Sequence, residues 1–569
     1  MSLAFEDMQV KPVVVSSVDL GRPDHYNALI GGTQITKKEV ISTSYNNSQC
    51  SFTCNPPDSL TIIDRRVLLK VPITLTFTAS SVAGGTYMLQ SGYDAFRAMP
   101  LSSIMSVLNV SINNNKITMQ PSEVVSEVMR FHGNTRDLQY RSGAPSLADQ
   151  SQEYSELLLT NRNPLAQYGE KFEVPARGGF PYTAVGGAVG ATTMTVSAVL
   201  TEPLLISPFV WGGADSKGLC RVQNMNVQIN WESNLARVWS HFDPAGTVMT
   251  NVSVALGQPS LLFTYITNPP TLQIPKTLEY QYHDLSEVHI TELGSSVAPD
   301  AQYTMVSSNI QLSSIPEMLL ICVKERKGDR TYKTTDSWQA LESVNLSWAN
   351  SSGLLTGATK EQLYDIAVKN GLDMSYAEWS ADPTYVLSGG VQSQQRGVGS
   401  VLLLKMGEDI AFSDPASSVG VAGTYNLNMR LGLRNRNPTR TIYPALYVVP
   451  VYRSVMSIQD NQSVLQSAVL SPADVLDSAK QANDIGAVSV SDIEGGAFNV
   501  AKFAKQALPY IRKGRKVAQD IARAIPAPEA KVASAILDGA EAFGLGRRGG
   551  LAVGGAKMSR AELRRALLE

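Results

Sequence analysis

The chain writes one pattern twice. Residues 106–133 read SVLNVSINNNKITMQPSEVVSEVMRFHG, and residues 343–371, which begin 237 positions later, read SVNLSWANSSGLLTGATKEQLYDIAVKNG. Each copy is an alternating apolar/polar stretch, then an Asn/Ser-rich turn, then a short helix that stops before a glycine. A long-period echo inside a strand-rich chain calls for two copies of one fold packed side by side. That architecture suits a building block better than an enzyme.

The flanking sequence fits this reading. Arg66–Ala79 alternates as a half-buried strand should, and so does Val222–Trp231. Further strands are expected near 193–200, 249–256 and 259–267, separated by turn-rich insertions, notably 133–192. The pattern restarts near Asn268-Pro-Pro-Thr. Strands are then expected at 277–292, 301–312, 317–325, 341–348, 399–406, 424–434 and 442–453. Each half has one main helix. The first is expected to be capped by Ser122 and to run to Phe131. The second opens on the capping box Thr359-Lys-Glu-Gln362 and ends at Asn370-Gly371. No strand–helix alternation appears, which excludes a doubly wound parallel sheet. The fold class is therefore all-β: two tandem antiparallel jelly-roll sandwiches with one short helix each, plus a basic α-helical C-terminal tail. The boundaries follow: 1–270 for the first roll with long insertions, 271–465 for the second, 466–496 for a helix and Gly/Ser linker, and 497–569 for the tail.

At 569 residues the chain has room for large cores without disulfides or metals. Its 43% hydrophobic and 17% charged content is that of a soluble globular protein. The opening residues lack a basic, apolar signal sequence, and no stretch reaches the length of a membrane span. Four cysteines (Cys50, Cys54, Cys220 and Cys322) are too few for a disulfide framework and are read as free thiols in a reducing compartment. The sequons at Asn109, Asn251 and Asn345 carry little weight without a secretory signal. Catalysis finds no support. The five histidines (His25, His132, His241, His283 and His289) are scattered, and no metalloprotease, phosphate-loop or nucleophile-elbow motif occurs. Cys50-x-x-x-Cys54 lacks a partner pair at zinc spacing, and no paired carboxylates suggest a glycan hydrolase. No cofactor is expected. A Cys322/His289 dyad is outweighed by the ordinary reading of Cys322 as a core thiol.

One segment carries a family resemblance. Asp94-Ala-Phe-Arg-Ala-Met-Pro-Leu-Ser-Ser-Ile-Met-Ser-Val-Leu-Asn-Val-Ser-Ile-Asn-Asn114 with Asn115 resembles the F-R-x-x-P-L…L-x-V-x-I-N stretch of double-jelly-roll major capsid proteins. That lineage includes virophages, Polinton-like viruses and adenovirus hexons. Ile310–Val323 resembles a strand–turn–strand of the second roll. The resemblance implies two upright rolls per chain and homotrimeric, pseudo-hexagonal capsomers tiling an icosahedral shell. It also implies lateral capsomer contacts, penton and minor capsid proteins as neighbours, and residence in the virion after synthesis in the host cytoplasm. The alternatives are a single-roll capsid protein with a projecting β domain, and a β-sandwich receptor-binding or adhesion protein.

The net charge of −2 hides an asymmetry: residues 497–569 hold 14 Lys/Arg against 6 Asp/Glu. Charge separated along a chain marks a segment with a different partner. Val500, Phe503, Ala507 and Ile511 recur at helical spacing, with Lys502, Lys505, Arg512, Lys513, Arg515 and Lys516 around them and a kink expected at Pro509. Such a helix suits phosphates of packaged nucleic acid, a membrane surface, or docking under a shell. Where composition and charge switch, Ile493-Glu-Gly495-Gly496-Ala497 resembles the cleavage pattern of adenovirus-type maturation proteases. Leu29–Thr33 and Leu387–Val391 match the same loose pattern. Finally, Arg430, Arg434 and Arg436 sit on alternate strand positions. They are read either as a solvated edge or as an intersubunit salt-bridge surface.

Overall fold

A computed structural model describes residues 34–81, 94–131, 182–185, 192–209, 218–241, 247–267 and 274–476, apart from single positions and pairs within them, and two short strands at Val13–Val14 and Asn27–Ala28. The expectations for Ile493–Ala497 and for the basic helix from Lys502 to Lys516 lie outside the described residues.

The first roll is built from β1 (Gln34–Ile41), β2 (Gln49–Thr53), β3 (Leu68–Ser81), β4 (Met105–Ile112), β5 (Asn115–Met119), β6 (Thr192–Pro203), β7 (Met225–Trp231), β8 (Thr247–Leu256) and β9 (Ser260–Thr267). One sheet has the order β1-β9-β3-β6, with β8 also on β3; the other has the order β5-β4-β7-β2. The second roll uses β10 (Thr277–Asp284), β11 (His289–Glu292), β12 (Gln302–Val306), β13 (Ile310–Ser314), β14 (Met318–Glu325), β15 (Ala340–Trp348), β16 (Ser351–Leu354), β17 (Val401–Lys405), β18 (Ala422–Arg434), β19 (Pro444–Gln459) and β20 (Gln462–Ser467). Its sheets have the orders β10-β19-β14-β17 and β16-β15-β18-β12. The two four-strand orders of the first roll recur in the second, and all of these pairings are antiparallel.

The sequence pattern explains most strands. Along β3, Leu69, Val71, Ile73, Leu75 and Phe77 are buried while the residues between them are not. Along β7, Met225, Val227, Ile229 and Trp231 face inwards. Two strands depart from alternation. β14 is buried from Leu319 to Glu325, and β19 from Pro444 to Tyr452. A strand buried on both faces reads as a continuous apolar run, and here both faces are covered by protein.

The repeated segment resolves into strand, turn, strand, helix in both rolls. In the first, Asn113 and Asn114 turn the chain with φ of 47° and 71°. Asparagine tolerates this left-handed region, which suits a two-residue hairpin. In the second, Ala349 takes that role with φ of 48°. Helices are α1 (Pro100–Ser103), α2 (Pro121–Val128), α3 (Lys360–Lys369) and α4 (Tyr376–Ser380). The capping box of α3 is present as expected: Thr359 and Gln362 bond reciprocally. α2 starts differently. Pro121 occupies its first position and Gln120 precedes it, so Ser122 lies inside the helix and bonds Glu232 at 2.8 Å instead. The expected strand over 277–292 breaks at Asp284, and that over 301–312 breaks at Val306. α4 is an addition to the expected elements. It carries its own capping box, Ser375 with Glu378. No described helix is long and apolar enough to cross a membrane.

Candidate functional site

What a two-roll chain must accomplish locally is to hold the rolls in one fixed relation. The joint between them holds several buried charged side chains. α2 of the first roll lies against β14, β19 and the loop after β14 of the second. Its two acids, Glu123 and Glu127, are four residues apart and so share one helix face. Both are buried to 1% side-chain exposure.

Each acid is fully engaged. Lys324 Nζ donates to Glu127 Oε1 at 2.7 Å and to the Glu123 carbonyl at 2.9 Å. Trp338 Nε1 donates to the same Glu127 oxygen at 2.8 Å. Arg330 reaches Glu123 Oε2 at 3.0 Å, and Lys327 reaches Glu123 Oε1 at 3.4 Å and Glu232 at 2.6 Å. Arg330 also donates to the Tyr447 hydroxyl, and Lys324 sits 4.5 Å above the Tyr447 ring. Burial alone would raise the Glu123 pKa, but Arg330, Lys324 and Lys327 overcome it and hold the carboxyl down at about 2. Glu123 therefore stays ionised in the joint. Removing one partner of such a buried pair strands the other charge, which costs far more than the pair contributes.

The segment that carried the family resemblance is a second fastening. Arg97 is fully buried and crosses to the second roll, donating to the Thr331 carbonyl at 2.9 Å and to that of Thr334. Phe96 meets Trp239 edge-on at 4.9 Å. Pro100 opens α1, and Met99 before it takes φ of 53°. The free N–H groups of α1 point at Glu202, which accepts from Leu101 N at 2.5 Å and from Ser102 N at 3.0 Å. Buried with these neutral donors, Glu202 is pushed up to about 7 by desolvation. At the far end of the joint, Asn115 Nδ2 meets Ser463 Oγ at 2.8 Å, and Tyr280 OH bridges Cys220 N and the Gly218 carbonyl at 3.1 Å each. Gly399 fits beside Trp338 only as glycine, because a Cβ there would meet the Trp338 carbonyl at 2.0 Å.

The other residues singled out by the sequence pattern fall elsewhere. The four cysteines are buried thiols, with Cys50 and Cys54 pushed up to about 12 by desolvation. Cys322 contacts Glu127, while strand register sets His289 opposite Val448 and Cys322 opposite Tyr447, on opposite faces of the sheet. Arg430 is exposed on the outward face of β18. Arg436 is tied to Glu342 at 3.3 Å and to Asp382, and Arg434 lies 3.8 Å from Glu342. No group of three or more metal-ligating side chains occurs among the described residues. Glu123, Glu127, Lys324 and Arg330 do not stand out in the sequence. The signals that could have found them are an i, i+4 acid pair on an otherwise apolar helix and a lysine closing the apolar run Met-Leu-Leu-Ile-Cys-Val.

The model for the Sputnik virophage major capsid protein first domain matches residues 7–266, and that for the major capsid protein V20 C-terminal domain matches residues 287–454. Along its whole length the chain is 31% identical to the putative capsid protein V20 of Sputnik virophage, and covers 100% of that protein. The chain belongs to the virophage major capsid protein family. A chain of the cryo-EM structure of Sputnik virophage superposes with a TM-score of 0.72 at 29% identity, covering 88% of this chain and all of that one. The crystal structure of the mavirus major capsid protein shares the fold, with a TM-score of 0.64 at 14% identity over 82% of this chain and 98% of that one. As a virophage major capsid protein the chain is structural rather than catalytic. It self-associates, and its place is the virion capsid.

Proposed function

We propose that this virophage major capsid protein assembles as a homotrimer whose six rolls make a pseudo-hexagonal capsomer, and that capsomers tile an icosahedral shell. The observation that supports the reading is the recurrence of both four-strand sheet orders in the second roll, with a charged, buried joint between the rolls. A rigid pair of similar units gives three chains six similar walls, which is what a hexagonal tile needs. In this reading the shell closes with penton and minor capsid proteins at its special positions. Residues 1–270 and 271–465 form the wall, 466–496 a linker, and 497–569 an inward tail. The tail's Lys502, Lys505, Arg512, Lys513, Arg515 and Lys516 contact genome or membrane, and a maturation protease cuts after Gly496. Of the three arginines proposed for contact between capsomers, Arg430 has the exposure that supports this reading, while Arg434 and Arg436 lie near Glu342 of their own chain.

Light scattering and electron microscopy of the expressed chain test the trimer. Threefold, hexagonal particles are expected, and monomers at all concentrations would remove the reading. Mass spectrometry of purified particles tests the cut: a product ending at Gly496 is expected, and intact chains only would exclude it. Salt-dependent nucleic-acid retention lost on neutralising the tail's lysines separates genome from membrane contact.

A further inference from the structure

The loop between β14 and β15 belongs to the second roll by sequence, yet it lies on the first. Its neck is closed by strand-like pairing: Lys324 bridges Trp338, and Gln339 N donates to the Val323 carbonyl at 2.7 Å. Both neck residues are fastened to one oxygen of Glu127, through Lys324 Nζ at 2.7 Å and Trp338 Nε1 at 2.8 Å. A compact surface loop whose ends meet is an Ω-loop. Such a loop can lift without moving the strands that carry it, because its ends are held together in either state.

Beyond the neck, Arg326-Lys-Gly-Asp-Arg-Thr-Tyr-Lys-Thr334 brings no Val, Leu, Ile, Met or Phe to the contact. The first roll holds it by polar groups, and largely by its main chain. Asn234 Nδ2 donates to the Arg330 carbonyl at 3.0 Å, and His241 N to that of Tyr332 at 3.0 Å. Arg97 donates to the Thr331 carbonyl at 2.9 Å and to that of Thr334. In return the Tyr332 hydroxyl donates to the Met249 carbonyl at 2.9 Å, while Lys327 and Arg330 reach Glu232 and Glu123. Lys327, Gly328, Thr331 and Lys333 face solvent, whereas Arg330 and Thr334 are buried. A segment secured by polar bonds, with little apolar burial, sits at the low end of a protein's range of local stability.

We propose that Arg326–Thr334 is a strap that lifts from the first roll and closes on it as one unit, while both rolls stay folded and joined at the Glu127 neck. Closing it brings the strap onto Arg97, Asn234 and Glu232 and covers Glu123. Lifting it exposes the Arg330–Thr331 bond and frees the His241 N–H. The strap thus turns a link held at the neck into a joint held across a broad face. This device is a property of the single chain and does not depend on how copies associate.

The test is limited digestion of the full-length chain by an arginine-specific protease, with hydrogen exchange followed by mass spectrometry. Cleavage after Arg330 is expected before any cut within β3 or β7, and the nicked chain should keep its circular dichroism and elute as one species. Asn234→Ala and Tyr332→Phe each remove one strap bond. Each should speed the cut by about fivefold, the factor that one ordinary hydrogen bond supplies, and exchange in the peptide spanning His241 should quicken in step. Ile229→Val trims the core of β7 and lowers global stability, and it should leave the rate of this cut unchanged. A cut that quickens with Ile229→Val but not with Asn234→Ala or Tyr332→Phe would overturn the strap, since the loop would then open only when the first roll unfolds. A nicked chain that loses its structure, or resistance at Arg330 until the strands themselves are cut, would overturn it as well.

Discussion

The two copies of the hairpin–helix unit share one pattern and do different work. In the first roll, α2 faces another roll, and its acids are buried against Lys324, Arg330 and Trp338. In the second, α3 buries only Leu363 and Ala367 and turns its acids outward. The backbone unit is the same. Its surroundings decide whether a glutamate is a fastening or a solvated surface charge. A duplicated fold can therefore keep its topology while each copy acquires a separate boundary.

That contrast gives graded tests. Glu123→Ala should destabilise by about 3–5 kcal/mol, because Arg330 is left as an unpaired buried charge; Glu361→Ala at the exposed helix should leave the melting temperature unchanged. Equal effects in differential scanning calorimetry would break the distinction. Leu363→Ala should cost about 2–4 kcal/mol, since Leu363 is fully buried beneath α3 and its loss leaves a cavity. Acid titration sharpens the same point. The carboxyl of Glu123 is held down at about 2 against an ordinary 4.5. Its contribution is present above about pH 4.5 and is lost as pH falls towards 2. Glu202 runs the other way. Raised to about 7 from 4.5, it favours the folded state when protonated, so stability falls as pH rises from about 4.5 to 7. Glu202→Gln should flatten that upper slope and leave the acid limb intact, as read from melting temperature against pH. Thr359→Ala, which removes one half of the α3 capping box, should cost about 1 kcal/mol, the smallest effect that thermal unfolding would resolve here.

Much of the fold is legible in the chain. Alternation locates β3, β7, β6, β15 and β18 to within a few residues, and the capping box locates α3. Misreadings share one cause. Ser122 reads as a cap because its local chemistry fits one, yet its hydroxyl is used by Glu232, 110 residues away. The continuous runs in β14 and β19 announce burial on both faces but not by what. Helix α4, one turn long, is too short for any periodicity to register. Arg436 reads as a surface arginine because its partners, Glu342 and Asp382, are brought to it only by the fold.

By itself the sequence determined the class of fold, the duplication and the family, because these depend on local periodicity and on patterns that survive along the chain. Only the tertiary structure decided which glutamates join the rolls and that Arg97 spans between them. Those properties depend on desolvation and on charges separated by about 200 positions in the chain, as Glu123 and Arg330 are by 207. A charge's worth is set by what surrounds it, and the surroundings exist only once both rolls have folded and met.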